Sequence, residues 1–168
     1  MAKVYAIISG KGGVGKTTTS VNIGTALNHL GEDIIIIDGN LTTPNIGIHL
    51  GAPIVPVTLN HVLNNQAKIE DAIYEHESGT KIIPASLSLK ETEKTNYKKF
   101  PEIVKKLKKI SNIILIDSAA GLGEEAKIAI DAADEIIIVT NPEMAAVTDA
   151  LKTIKLAEEK NKKIAGVI

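Results

Sequence analysis

Directly after the apolar run Val4–Ile8, the chain reads Ser9-Gly10-Lys11-Gly12-Gly13-Val14-Gly15-Lys16-Thr17-Thr18. The order Gly, four residues, Gly, Lys, Thr is the Walker A pattern, which lies between a strand and a helix. Glycines in such a loop let backbone N–H groups turn towards phosphate oxygens without obstruction by a Cβ atom. The stretch therefore predicts a phosphate-binding loop whose ligand is a nucleoside triphosphate.

Each part of this loop has an expected role. Lys16 would reach the β- and γ-phosphates, Thr17 would offer its hydroxyl to Mg²⁺, and a helix beginning near Lys16 would point its positive end at the anion. Lys11 is additional, because an ordinary Walker A loop needs no cation there. The residues expected to bind nucleotide are Gly10, Lys11, Gly12, Gly13, Val14, Gly15, Lys16, Thr17 and Thr18.

The same glycines also fit the dinucleotide-binding pattern Gly-x-Gly-x-x-Gly, with Asp38 at about the distance of a ribose-binding acid. A Rossmann oxidoreductase is therefore an alternative. Lys16 and Thr17 favour the triphosphate, since a pyrophosphate held by backbone alone needs neither. The base is expected to be adenine, because the nearest string to a guanine-reading Asn-Lys-x-Asp, Asn161-Lys162-Lys163-Ile164, lacks the acid.

Composition favours one α/β domain over residues 1–168, with 44% hydrophobic and 23% charged residues. The chain has no cysteine, which excludes thiolate catalysis and cysteine-ligated clusters. A net charge of -1 gives no general attraction to nucleic acid. Neither a signal peptide nor a membrane span is visible, so we expect a cytoplasmic protein. All 19 basic residues are lysines, so any cation completing the site is a lysine or comes from another protein.

Apolar, β-branched runs alternate with helical patterns along the chain. Strands are predicted at residues 3–9, 33–38, 81–84, 112–117, 135–140 and 163–168, and helices at 16–30, 58–64, 69–76, 96–109, 124–131 and 143–160. This alternation predicts a P-loop NTPase fold, an α/β architecture with a mainly parallel sheet and helices on both faces.

In such sheets ligands collect at the carboxyl ends of the strands. Asp117 closes the apolar run Ile113–Ile116, which is the Walker B pattern of a magnesium-binding acid. Asp38 and Asn40 follow another predicted strand, and Pro142 and Glu143 a third.

Three other features are interpreted as structural. The lysines between positions 98 and 109 alternate with Ile103, Val104 and Leu107, which indicates a core-packed helix with a solvated face. The four histidines are widely separated and are assigned to surfaces. In the helix 143–160, the apolar residues Met144, Val147, Leu151, Ile154 and Leu156 are expected to pack in the core.

Taken together, Lys11 in the loop, Asp38 with Asn40, Pro44-Asn45 and the stretch Asp117–Gly121 resemble the MinD/ParA family of deviant Walker A ATPases, in particular its archaeal MinD type. The similarity runs through residues 58–86 and 134–150 and covers nearly the whole chain. Iron–sulfur carriers share the loop, but the absence of cysteine argues against them.

The resemblance implies roles for individual residues. Lys11 would be the signature lysine that reaches the phosphates bound by a second copy across an ATP-sandwiched homodimer. The first turn of the helix 143–160 would border the nucleotide and the dimer interface. The implied catalytic set is Lys11, Lys16, Asp38 and Asn40, and the implied magnesium set is Thr17, Asp38 and Asp117. Many family members carry an acid where this chain has Asn40; an amide can orient water but cannot take its proton.

The resemblance also implies a function. The chain would be an ATP- and Mg²⁺-dependent switch that dimerises with ATP, separates after hydrolysis, and takes part in spatial positioning such as placement of the division site. A regulatory partner protein is expected, DNA is not, and membrane binding in the family uses a C-terminal helix; the family fold is also expected to continue beyond Ile168. A ParA-like DNA-partitioning ATPase and a P-loop metabolic enzyme remain open alternatives beside the Rossmann oxidoreductase.

Overall fold

Seven strands form one sheet in the computed structural model of the protein, which describes residues 2–168. The strands are β1 (Lys3–Ile8), β2 (Ile34–Gly39), β3 (Tyr74–Glu75), β4 (Lys81–Ile83), β5 (Ile113–Ser118), β6 (Glu135–Ile138) and β7 (Lys163–Val167). Their order is β3-β4-β2-β5-β1-β6-β7, and only the edge strand β3 is antiparallel to its neighbour. The predicted mainly parallel α/β sheet is confirmed.

Seven α-helices surround this sheet. They are α1 (Lys16–His29), α2 (Ile46–His49), α3 (Leu59–Leu63), α4 (Leu89–Glu93), α5 (Phe100–Leu107), α6 (Glu124–Ala132) and α7 (Met144–Glu159). Short 3₁₀ turns cover Glu70–Ala72 and Tyr97–Lys99. No helix within residues 2–168 is long and apolar enough to cross a membrane.

The predicted helix over residues 69–76 is wrong. Only Glu70–Ala72 turns, as a 3₁₀ segment, and the chain then enters β3, where Tyr74 pairs with Ile82 of β4. Pairing with the sheet edge outweighs the local helical pattern, since apolar side chains in a short segment fit either structure. The sequence pattern also does not predict α2 or α4, which are only four and five residues long.

The core is built from strands that are buried on both faces. Ile34–Ile37 of β2 and Ile114–Ile116 of β5 are at most 1% exposed, as expected for parallel strands covered by helices on each side. Helix α1 lies on one face, where Ile23 and Leu27 pack beside Ile36. Helices α5, α6 and α7 supply the other face through residues such as Val104, Ile130 and Ala157.

Helix α5 has the predicted amphipathic character. Phe100, Ile103, Val104 and Leu107 are buried, while the lysines at 105, 106 and 109 are exposed. The structure thus confirms the interpretation of this lysine-rich segment as a core-packed helix with a charged outer face.

The loops that follow β1 and β5 meet, because these two strands are adjacent and parallel. The backbone N–H of Gly121 donates a hydrogen bond to the carbonyl of Ser9 at 2.9 Å. Strand β2 lies on the other side of β5, with Asp38 opposite Asp117 in register. The carboxyl ends of β1, β2 and β5 therefore bring the predicted site residues to one edge of the sheet.

Candidate functional site

The loop between β1 and α1 has the backbone expected for a phosphate cradle. Gly13 and Gly15 adopt positive φ angles of 78° and 95°, which side-chain-bearing residues rarely adopt. Helix α1 begins at Lys16, directly after Gly15. The N-terminus of α1 therefore presents unpaired N–H groups to the space above the loop, which favours an anion there.

Polar side chains of α1 surround Asp117, which is completely buried. The Thr17 hydroxyl donates to Asp117 Oδ2 at 2.6 Å, and the Ser20 hydroxyl donates to Oδ1 at 3.0 Å. The Lys16 ammonium lies 3.9 Å from Oδ1. Burial raises the pKa of Asp117, while Lys16 and the two hydroxyls act in the opposite direction. Ser20 was missed from the sequence, although its position one turn after Thr17 on α1 places it on the same face.

Asp38 is also completely buried, and backbone groups bind both of its oxygens. Oδ1 accepts from the N–H of Asn40 at 3.2 Å, and Oδ2 accepts from those of Asn45 and Ile46 at 2.9 and 3.0 Å. Burial, and next the neighbouring Asp117 carboxylate, raise the pKa of Asp38 to about 7 despite these bonds. Two buried carboxyl groups thus lie side by side, and within residues 2–168 one lysine, Lys16, lies within ion-pair distance of them.

This donor set fits a hard divalent cation. Thr17, Asp38 and Asp117 offer oxygen atoms, and their buried negative charge would be compensated by a metal ion. The residues that the structure describes contain no cluster of three acidic or histidine ligands that could hold a metal alone. Mg²⁺ is usually held by one or two carboxylates together with substrate phosphates and water, and Asp38 and Asp117 supply two carboxylates here.

The side chain of Asn40 is engaged within its own loop. Its amide nitrogen donates to the carbonyl of Thr43 at 2.6 Å, and its amide oxygen accepts from the Thr43 hydroxyl at 3.0 Å. Both ends of the amide are therefore used to shape the turn after β2. The catalytic role of Asn40 stays a prediction.

An open cavity of about 760 Å³ lies over the phosphate loop. Of the predicted nucleotide-binding residues, Gly12, Gly13, Gly15, Lys16, Thr17 and Thr18 line it, and Asn40 does as well. Gly10, Lys11 and Val14 do not; Val14 is instead part of the core beside Ile7. His49, Glu124 and Glu125 also line the cavity, although no sequence motif marks them as site residues.

Lys11 lies outside the cavity and is half-exposed. Its ammonium is 3.6 Å from a carboxylate oxygen of Glu143, which directly precedes α7. Both side chains are at least half accessible, so this ion pair contributes little to stability and can be broken easily.

The expected packing of α7 is wrong in its first half. Met144 and Leu151 are 84% and 61% exposed, and Val147 is 39% exposed. The buried face of α7 consists of small residues instead, namely Ala146, Ala150, Thr153 and Ala157. Small side chains let the helix approach the sheet closely, and Met144, Val147 and Leu151 are left on the outer face. Ile154 and Leu156, in the second half of the helix, are partly buried against the core as predicted.

The raised pKa of Asp38 should make the stability of the nucleotide-free protein depend on pH. The folded chain keeps a proton up to about pH 7, whereas an unfolded chain releases it near pH 4. The contribution of the Asp38 carboxyl to the free energy of unfolding is therefore fully present below pH 4. This contribution is lost as the pH rises to 7. We expect the free energy of unfolding to fall by about 1 kcal/mol per pH unit between pH 5 and 7, measured by urea denaturation.

Two variants serve as controls for this pH dependence. Asp38→Asn cannot ionise and should flatten the slope between pH 5 and 7. Asp134→Asn should leave that slope unchanged, because the pKa of Asp134 is lowered and its linkage acts only at more acidic pH. An undiminished slope in Asp38→Asn would contradict the assignment.

Comparison with known proteins identifies a family and several similar proteins. The profile of the AAA domain family matches residues 2–165. The chain is 41% identical over 168 residues to an uncharacterized ATP-binding protein of Methanocaldococcus jannaschii, and this covers all of the chain and 64% of that protein. The chain therefore spans less than two thirds of the length of this relative.

Solved structures agree in fold. The septum site-determining protein MinD of Pyrococcus horikoshii, solved with Mg-ADP, superposes with a TM-score of 0.95 at 38% identity and covers 99% of this chain and 69% of its own. MinD in the MinC:MinD cell division complex of Aquifex aeolicus superposes with a TM-score of 0.86 at 34% identity, over 99% of this chain and 67% of its own.

Proposed function

This chain belongs to the MinD/ParA family of P-loop ATPases, and we propose that it is an ATP-hydrolysing switch that dimerises when it binds ATP and Mg²⁺. The observation that carries the proposal is the group of Lys16, Thr17 and Ser20 around the buried Asp117, with Asp38 beside it. These residues lie at the mouth of a phosphate loop, where a magnesium-bound triphosphate would be held. A nicotinamide dinucleotide bound by backbone alone would leave these two buried carboxylates uncompensated.

The loop and the N-terminus of α1 would bind the phosphates through backbone N–H groups, with Lys16 as the point charge. Thr17, Asp38 and Asp117 would hold Mg²⁺, which neutralises charge on the β- and γ-phosphates. The Thr17 hydroxyl, which now donates to Asp117 at 2.6 Å, would turn its oxygen to the metal.

Dimerisation is supported by two features on one side of the site. Lys11 is exposed and does not line the cavity of its own chain, so it is free to act on phosphates bound by a second copy. The exposed apolar residues Met144, Val147 and Leu151 begin directly after Glu143, the ion-pair partner of Lys11. A second copy that covers this stripe would bury apolar surface and bring its phosphates to Lys11.

The relatives give the biological context of the proposal. MinD of Pyrococcus horikoshii is a septum site-determining protein, and MinD of Aquifex aeolicus forms a complex with MinC. We infer a comparable role in spatial positioning, in which a regulatory protein recognises the ATP-bound dimer. Contacts that ATP makes only in the dimer would shift the equilibrium towards the dimer. Dimerisation would then depend on which nucleotide is bound.

The proposed function is tested by the mass in solution, measured by light scattering with ADP–Mg²⁺ and with a non-hydrolysable ATP analogue. We expect a monomer with ADP and a dimer with the analogue, and we expect Lys11→Ala to bind the analogue but remain monomeric. The matched control is Lys106→Ala, which removes an exposed lysine of α5 paired with Glu102 and should dimerise normally. A chain that binds NAD but no triphosphate would refute the proposal.

A further inference from the structure

His49, the last residue of α2, lines the cavity over the phosphate loop and is exposed. Side chains of a helix lean towards its N-terminus, and here the imidazole Nδ1 lies 3.1 Å from the carbonyl oxygen of Asn45, directly before α2. The backbone N–H of Asn45 in turn donates to Oδ2 of Asp38 at 2.9 Å. The imidazole is therefore directed back towards the end of β2, where the predicted site residues lie.

The contact with Asn45 decides which ring nitrogen of His49 can act as a base. A carbonyl oxygen only accepts hydrogen bonds, so Nδ1 carries a proton and donates it. In the neutral imidazole the lone pair is then on Nε2. Within residues 2–168, no hydrogen bond or ion pair engages Nε2 of His49. One nitrogen thus fixes the ring, and the other is available as an acceptor.

The imidazole is also close enough to the buried carboxylates to interact with their charge. Burial, the largest influence, raises the pKa of Asp117, whereas Lys16 and, more weakly, the positive form of His49 oppose that rise. The same attraction stabilises the imidazolium. His49 can therefore hold a proton that it takes up during a reaction in the cavity.

Apart from the proposed magnesium ligands, the other polar groups at the cavity are less suited to accept a proton from water. Asn40 carries an amide, which cannot take a proton. Glu125 accepts from the Thr42 hydroxyl through Oε1, and its Oε2 is buried from solvent. The side chain of Glu124 is 85% exposed and lies 3.2 Å from the ammonium of Lys127. The imidazole of α2 is the accessible base that the protein holds in a fixed orientation.

We propose that His49 accepts the proton of the attacking water in ATP hydrolysis; this inference rests on the proposed function. The water oxygen forms a bond to the γ-phosphorus, and the bond from that phosphorus to the β,γ-bridging oxygen breaks, its electron pair leaving with ADP. The proton lost by the water passes to Nε2 of His49 and from there to solvent. The carbonyl of Asn45 keeps the ring in place through Nδ1–H in both charge states, as a third group orients the base in other enzymes.

The test compares His49→Gln with the matched variant His29→Gln in steady-state phosphate release. His29 is an exposed histidine in the last turn of α1 and does not line the cavity. We expect kcat of His49→Gln to fall by about a hundredfold, at the lower end of the usual contribution of a general base. Its KM for ATP should stay within about twofold of the wild type, and it should still dimerise with the analogue. His29→Gln should keep the wild-type kcat.

The pH dependence of kcat separates catalysis from a merely structural role of His49. A histidine base works in its neutral form, and imidazoles change protonation between pH 5 and 8. We expect kcat to rise over this range in the wild type and in His29→Gln, and to lack this rise in His49→Gln. Both variants retain the other charged groups at the site, so a rise caused by one of those would persist in His49→Gln. These groups are Lys16, Glu124, Glu125, Asp38 and Asp117.

Two results would overturn the inference while leaving the proposed function intact. One is a kcat for His49→Gln within about threefold of that for His29→Gln. The other is a rise of kcat with pH that is unchanged in His49→Gln. A wild-type chain that neither binds nor hydrolyses ATP would instead refute the proposed function, and this inference with it.

Discussion

Replacement of Lys16 by alanine is expected to reduce the rate of ATP hydrolysis by about a thousandfold and to weaken the binding of an ATP analogue. The Lys16 side chain is only 10% exposed and lies 3.9 Å from Asp117, so its charge acts in a site that excludes most water. No arginine is present in the chain to replace it. Phosphate release at saturating ATP and Mg²⁺, together with calorimetry for the analogue, would measure both effects.

The matched comparison for this prediction is Lys11→Ala. Lys11 is half-exposed, so its removal should leave nucleotide binding by the single chain intact and affect only dimerisation and the activity that depends on it. Lys16→Ala should also raise the pKa of Asp117 further, because Lys16 is the main group that opposes the effect of burial. Hydrolysis by Lys16→Ala within about tenfold of the wild type would contradict the site assignment.

The phosphate loop and the parallel sheet could be predicted from sequence because their signals are local. The Walker A pattern is visible in the order of residues alone, with glycines at positions 13 and 15 followed by a lysine and a threonine. The structure gives both glycines the positive φ angles that such a loop needs. The long isoleucine runs of β2 and β5 likewise predict strands that are buried on both faces. Asp38 and Asp117 end those runs, so their convergence follows from parallel pairing.

Other parts of the site depend on contacts that the sequence does not record. Glu125 has its place because Thr42, 83 residues away, donates to it. The edge strand β3 replaced a predicted helix because β4 offered free backbone groups to pair with. The sequence predicts that the outer face of α7 packs in the core, and the structure shows it exposed. Apolar residues have the same helical spacing whether they pack on a sheet or on a partner protein.

Gly10 does not line the cavity. The close approach of α7 to the phosphate loop explains why this position is a glycine. A Cβ atom on Gly10 would lie 2.5 Å from the backbone carbonyl carbon and oxygen of Asp149, and 2.6 Å from its Cβ. Real Cβ atoms do not approach backbone so closely, and Asp149 lies within a 16-residue helix that cannot yield at one residue. Gly10 is thus required by packing, in addition to its place in the Walker A pattern.

Gly10→Ala should therefore displace α7 and lower the free energy of unfolding by about 3 kcal/mol or more, as measured by urea denaturation. Gly12→Ala is the matched control in the same loop, because its Cβ would lie 4.0 Å from the nearest atom, the Cβ of Ala120. It should change stability by less than about 0.5 kcal/mol. Equal stability of the two variants would mean that α7 does not lie against Gly10. Since Glu143 and the exposed stripe move with α7, Gly10→Ala should also prevent analogue-dependent dimerisation at protein concentrations where Lys106→Ala permits it.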